Sequence, residues 1–172
     1  MAVLAAVALT LVAMPRAVEA QEIYRPGIWI DPDGCEHWVM DDGAEGYMSP
    51  HRTRDGRPVC RRSEICLTMP TEAFFATDSY HLPHATQAQL RQFFQTAGAF
   101  AYLVYGHTDE RASYEYNVRL SENRARTVAR IGQQAGARIV DVKGFSELQP
   151  RAQGHNEQAW RPNRRVDIVC LR

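Results

Sequence analysis

The segment from Gly106 to Arg126, GHTDERASYEYNVRLSENRAR, constrains everything around it, because it joins a wholly apolar strand, Phe100 to Tyr105, to a long amphipathic helix through a polar loop. With the helix starting near Ser113, a turn of about 100° per residue puts Asn117, Leu120, Ser121, Arg124, Val128 and Ile131 on one stripe. Arg119, Glu122, Arg126, Arg130 and Gln133 fall on the opposite side. Arg124 is therefore a cation among core-facing residues, where a guanidinium is costly unless something anionic meets it. Asp109, at the end of the preceding strand, is the nearest anion in sequence, and the plain reading is a structural Asp109–Arg124 ion pair. The same place is the chain's best candidate binding site. In open α/β sheets ligands collect beyond the carboxyl ends of strands, and Ser113 as an N-cap would turn helix N–H groups toward an anionic group there. His107-x-Asp109 resembles half a metal site, but no third ligand stands at a recognisable spacing, and a hydrogen-bonded structural His is the default.

The chain opens on an apolar run, Ala2 to Met14, followed by Pro15 and by Val18-Glu19-Ala20. This reads as a secretory signal peptide over residues 1–20, cut before Gln21, too short for a membrane span of ~20 apolar residues. An exported, soluble periplasmic protein is expected, without the cysteine of a lipid-attachment signal after the cut and without the alternating strands of an outer-membrane barrel. Lys+Arg 20 balances Asp+Glu 20, so no net field draws the protein to nucleic acid or anionic lipid. Lys143 is the only lysine. Cys35, Cys60, Cys66 and Cys170 in an exported chain point to disulfides, paired Cys35–Cys60 and Cys66–Cys170. A zinc site from Cys35, His37, Cys60 and Cys66 is the rival, but paired zinc-ligand spacing is absent.

Residues 21–62 read as a separate small unit, dense in turn signals such as Asp31-Pro32-Asp33-Gly34, with short extended pieces at Ile28-Trp29-Ile30 and His37-Trp38-Val39-Met40. Its acidic cluster, Asp31, Asp33, Asp41, Asp42 and Glu45, is turn-forming rather than calcium-binding, since Cys35 stands where an EF-hand loop needs an oxygen. Trp29, Trp38 and Tyr47 are expected as its miniature core, with a sugar- or partner-binding face as the other reading. Residues 63–172 form the main domain, an α+β, α/β-sandwich fold of βαβαβ type. A strand region at Ile65–Phe75 leads to a helix over Thr86–Thr96 and then to the strand at Phe100–Tyr105. The Arg124 helix ends at Gly136; strands at Arg138–Val142 and Arg165–Leu171 follow, with a polar excursion from Ser146 to Pro162 between them.

Several spaced motifs then agree. The order GHTD, Tyr116-Asn117, LSENRARTV from Leu120 to Val128, Gly144-Phe145 with Pro150 after it, and Asn163-Arg164-Arg165-Val166 resembles the OmpA-like peptidoglycan-binding domain of outer-membrane protein A, the peptidoglycan-associated lipoprotein and MotB. The resemblance covers roughly Cys66 to Arg172. It implies non-covalent binding of the diaminopimelate residue of the peptidoglycan stem peptide, in the envelope of a Gram-negative bacterium. By that resemblance Asp109 takes the ligand's ammonium and Arg124 its carboxylate, Thr108 and Asn117 are hydrogen-bonding neighbours, and Arg165 is structural. The family's first strand often ends F-D-x-D, and Phe75-Ala76-Thr77-Asp78 lacks the first acid, leaving Asp78 to compensate. No cofactor or metal is implied. The chain carries none of G-x-S-x-G, S-x-x-K or H-E-x-x-H, so no enzymatic activity is expected. The alternative is an envelope protein–protein interaction module with a degenerate OmpA-like domain, docking another envelope protein through its Trp-rich N-terminal unit.

Overall fold

The computed structural model describes residues 27–31, 33–41 and 46–172. The stretch read as a signal peptide lies outside them, as do Asp42 and Glu45 of the acidic cluster. In chain order the elements are β1 Gly27–Ile30, β2 Glu36–Asp41, β3 Gly46–Pro50, β4 Ser63–Pro70, α1 Thr71–Phe74, α2 His84–Thr96, β5 Ala101–His107, α3 Tyr114–Gln134, β6 Ile139–Gly144, α4 Glu157–Asn163 and β7 Arg165–Leu171. No helix among the described residues is long and apolar enough to cross a membrane.

The main sheet has the order β4-β7-β5-β6, with β7 antiparallel to both β4 and β5 and β5 parallel to β6. Such a parallel pair needs a crossover, and α3 supplies it. The expected α+β architecture is present. Strands β5 and β7 are central, and their nearly unbroken apolar sequences follow from burial on both faces. Tyr102, Val104, Ile168 and Cys170 point to one side, where Leu90 and Phe94 of α2 and Val128 and Ile131 of α3 close the larger core. Ala101, Leu103, Val169 and Leu171 point to the other, where Ile30 of β1 covers them.

Ile30 belongs to a three-stranded antiparallel meander, β1-β2-β3. Trp29, Trp38 and Tyr47, expected as the core of this unit, are instead 42%, 41% and 63% exposed. Among the described residues of β1 and β2 only Ile30 and Glu36 are buried, because a three-stranded sheet too small for a core of its own uses β1 to pack on the main sheet. Buried Glu36 is neutralised in place by Arg61 at 2.7 Å and His51 at 2.9 Å. Asp31 accepts from the Cys35 N–H at 2.8 Å and from His37 at 3.0 Å, the turn-forming role expected of it. The disulfides are Cys35–Cys60 and Cys66–Cys170, across sequence separations of 25 and 104.

Several boundaries depart from the sequence reading: α2 begins at His84 rather than Thr86, and β6 runs Ile139–Gly144 rather than Arg138–Val142. The first strand stops at Pro70 rather than Phe75, because Pro has no N–H for the ladder and its φ of −61° suits entry into the helical turn Thr71–Phe74. Strand β5 continues past Tyr105 through Gly106 and His107, which still pair with Val166 and Arg165. The polar excursion contains α4, capped by the Asn156 side chain accepting from the Ala159 N–H at 3.0 Å; a helix so short shows no period in sequence. Helix α3 ends as expected, with Gly136 at φ 85°, its N–H on Gln133 and the Ala137 N–H on Gly132.

Candidate functional site

Two glycines set where α3 lies. A Cβ at Gly106 would come 2.1 Å from the Ser121 carbonyl oxygen, and one at Gly144 would come 2.4 Å from the Glu122 nitrogen. The middle of α3 therefore rests directly on the ends of β5 and β6, which brings Asn117, Ser121 and Arg124 over the loop that follows β5. The Asn117 amide donates to the Asp109 carbonyl at 2.9 Å and to Glu147 at 3.2 Å, tying loop to helix. Ser113 caps α3, accepting from the Tyr116 N–H at 3.3 Å.

Between this loop, α3 and the segment after β4 lies a cleft of about 560 Å³. Thr108, Asp109, Asn117, Arg124 and Asp78 all line it, together with Phe75, Arg111, Tyr116 and Arg164. The expected site residues are thus brought to one place. Arg124 is only 6% exposed; its Nε donates to the Ser79 carbonyl at 2.9 Å and its guanidinium carbon stands 5.4 Å from the centre of the Phe75 ring. Its two Nη atoms have no hydrogen-bond partner among the described residues. Burial lowers its pKa, while Tyr116, Asp78 and Asp109 pull it back up, so the group stays a cation with donors to spare. Asp78 is exposed and in the left-handed region at φ 53°; burial first, then the Asp78 carboxylate, raises the pKa of the Tyr116 hydroxyl. Thr108 Oγ1 is buried with no hydrogen-bond partner among the described residues.

The direct Asp109–Arg124 ion pair does not form. Asp109, 7% exposed, bonds Arg111 at 2.7 Å and Arg164 at 2.8 Å, because those side chains reach it from its own loop and from the turn before β7. Arg164 also pairs with Glu72 and Glu157. These two arginines were not singled out in the sequence. Asn163-Arg164-Arg165-Val166 contained the signal, since alternate residues entering a strand face opposite sides. Arg165, read as structural, bonds Asp167 at 2.8 Å on the far face of the sheet. His107 lies there too, 2% exposed, stacked on Phe145 and 3.7 Å from Asp167. Burial above all, then the Arg165 charge, pushes its pKa down to about 4, so it is a neutral core histidine away from the cleft.

The model of the OmpA family matches residues 74–165, which include every cleft residue named above. The chain belongs to the OmpA family. Its similarity extends to the peptidoglycan-associated lipoprotein of Legionella pneumophila, 39% identical over 80 residues, 45% of this chain and 46% of that protein. The peptidoglycan-associated lipoprotein of Pseudomonas aeruginosa is 36% identical over 109 residues, 61% of this chain and 65% of that protein. The chain thus spans about half to two thirds of the length of these relatives. Among solved structures, the peptidoglycan-associated lipoprotein from Burkholderia pseudomallei aligns with a TM-score of 0.50 and 31% identity, over 61% of this chain and 89% of that one. The cell wall anchor of the T6SS from Pseudomonas aeruginosa aligns at 0.52 with 29% identity, over 60% and 78%. The OmpA family is one of structural and binding domains, and the chain's assignment as a non-enzyme rests on that membership.

Proposed function

We propose that this protein binds peptidoglycan non-covalently in the periplasm of a Gram-negative bacterium, in association with the outer membrane, and that its cleft holds the diaminopimelate residue of a stem peptide. The observation that carries this reading is Arg124: a buried guanidinium in a helix stripe, lining a cleft, with both Nη atoms free of partners among the described residues. A cation so placed suits a carboxylate that comes from outside, gripped by its planar fork. Asp109, on the same cleft, supplies the fixed anion that the ammonium of a zwitterionic end needs. Thr108 offers a buried hydroxyl without a partner among the described residues, Asn117 holds the Asp109 loop, and Asp78 beside Tyr116 takes the second polar contact. The names of the similar lipoproteins support the ligand class.

The test is co-sedimentation with purified sacculi. The wild type is expected to sediment with diaminopimelate-type sacculi and weakly with lysine-type ones, whose stem residue lacks the second carboxylate. Charge-assisted hydrogen bonds contribute ~1.5–3 kcal/mol each, so Arg124→Ala should weaken binding by roughly ten- to a hundredfold. Arg124→Lys should lose most of it too, and Asp109→Asn should behave likewise, with circular dichroism showing each variant folded. Folded variants that sediment like the wild type would sink the assignment. A second reading, an envelope protein–protein interaction module, is favoured by the exposed Trp29, Trp38, Met40, Tyr47 and Met48 of the meander, and a folded wild type that never sediments would leave that reading standing.

A further inference from the structure

Asp109 is already occupied. Its Oδ2 accepts from Arg111 Nε at 3.0 Å, from Arg111 Nη2 at 2.7 Å and from Arg164 Nη1 at 2.8 Å, which saturates that oxygen. A ligand ammonium that takes the Oδ2 position must therefore replace one of these donors. The two arginines are not equivalent. The Arg164 side chain is 12% exposed and is held at once by Asp109, Glu72 and Glu157, so moving it would strand several carboxylates. The Arg111 side chain is 50% exposed, and a second seat is built beside it: Nη1 lies 3.7 Å from Glu157 Oε2 and the guanidinium carbon 4.8 Å from the Trp160 ring centre. Trp160 is itself fixed by its indole N–H on Glu110 at 3.0 Å. Asp109 Oδ1 keeps the Arg111 backbone N–H at 3.1 Å, so the loop holds its shape when the side chain leaves.

We infer that Arg111 fills the ammonium position of the cleft in the free protein and that the ligand displaces its side chain onto Glu157 and Trp160. This rests on the peptidoglycan reading and adds to it an internal competitor. The competitor has two consequences. Cations that cannot also engage Arg124 gain too little to displace Arg111, so the contact favours ligands that present an ammonium and a carboxylate together. Binding is also weaker than the bare cleft allows, by a small factor because half-exposed ion pairs are weak.

The experiment is titration calorimetry with a soluble disaccharide-tetrapeptide muropeptide carrying diaminopimelate, on the wild type, Arg111→Gln, Glu157→Gln and the double variant, each checked for folding. Arg111→Gln should bind roughly two- to fivefold more tightly than the wild type. Glu157→Gln should weaken binding more in the wild-type background than in the Arg111→Gln background, where only its pairing with Arg164 is left to lose. A wild type that binds while Arg111→Gln binds equally or less well overturns the inference and leaves the peptidoglycan reading intact. Equal weakening by Glu157→Gln in both backgrounds overturns the proposed movement. If folded wild type and Arg111→Gln both fail to bind, the peptidoglycan reading falls and this inference with it.

Discussion

At Gly106 the side chain is absent because the Ser121 carbonyl of α3 stands where a Cβ would be, 2.1 Å away, and that contact holds the helix over the cleft. The obstacle is backbone and cannot rotate aside. Gly106→Ala is therefore expected to cost about 3 kcal/mol or more, read as a lower urea midpoint, and to reduce sacculus binding by shifting Arg124. His107, one residue on, gives a pH signature. Its folded pKa of about 4 lies below the ordinary 6.5, so the unfolded chain binds the proton first. The stability from keeping it neutral is fully present above pH 6.5 and is lost as pH falls through 4, a difference of roughly 3 kcal/mol. Carboxylates titrate in the same window, so the measurement is a comparison. The stability gap between wild type and His107→Gln should shrink from pH 7 to pH 4, and a constant gap would show that His107 carries no such linkage.

Among the elements, β7 was the most legible, since its residues Arg165–Leu171 follow directly from the nearly unbroken apolar run after the Arg pair. It pairs with both β4 and β5, and the Cys66–Cys170 bridge staples it to β4 across 104 residues. Chain entropy for a loop of about a hundred residues suggests ~4.7 kcal/mol of stabilisation, against ~3 kcal/mol for the much shorter Cys35–Cys60 loop. Replacing Cys66 and Cys170 with Ala should thus lower the unfolding free energy more than replacing Cys35 and Cys60. The reverse order in denaturant titrations would mean that the bridges act through the native state. Short elements were less legible. Helix α4 and the turn α1 are too brief to show a period, and each begins where a cap or Pro70 ends the preceding backbone pattern.

Across the whole molecule, the meander and the main sheet share a hydrophobic cluster. Ile30, 1% exposed, is packed with Ala101, Leu103, Val169 and Leu171, so the face of the sheet opposite the helices is covered by the N-terminal strands. Ile30→Ala should cost about 2–5 kcal/mol of cooperative unfolding, although Ile30 lies far outside the matched segment 74–165. A single unfolding transition that moves in this way, followed by tryptophan fluorescence and by far-ultraviolet circular dichroism, would show the two parts unfolding together. An unchanged main-domain transition would show them to be independent.

By itself the sequence determined the long elements, the disulfide partners, the family and the Asn117–Arg124 face of α3, because periodicity and spaced motifs are local and survive any packing. It also marked Arg124 as a core-facing cation that needs an anionic partner, with Asp109 as the nearest candidate in sequence. Only the tertiary structure decided which charges meet. Asp109 pairs with Arg111 and Arg164 rather than with Arg124, and Trp29 and Trp38 lie at the surface while Ile30 fills the core. Those outcomes depend on which strands become neighbours: the pairing of β7 with β5 carries Arg164 to Asp109, two residues 55 apart in the chain, and no pattern within either segment records that distance.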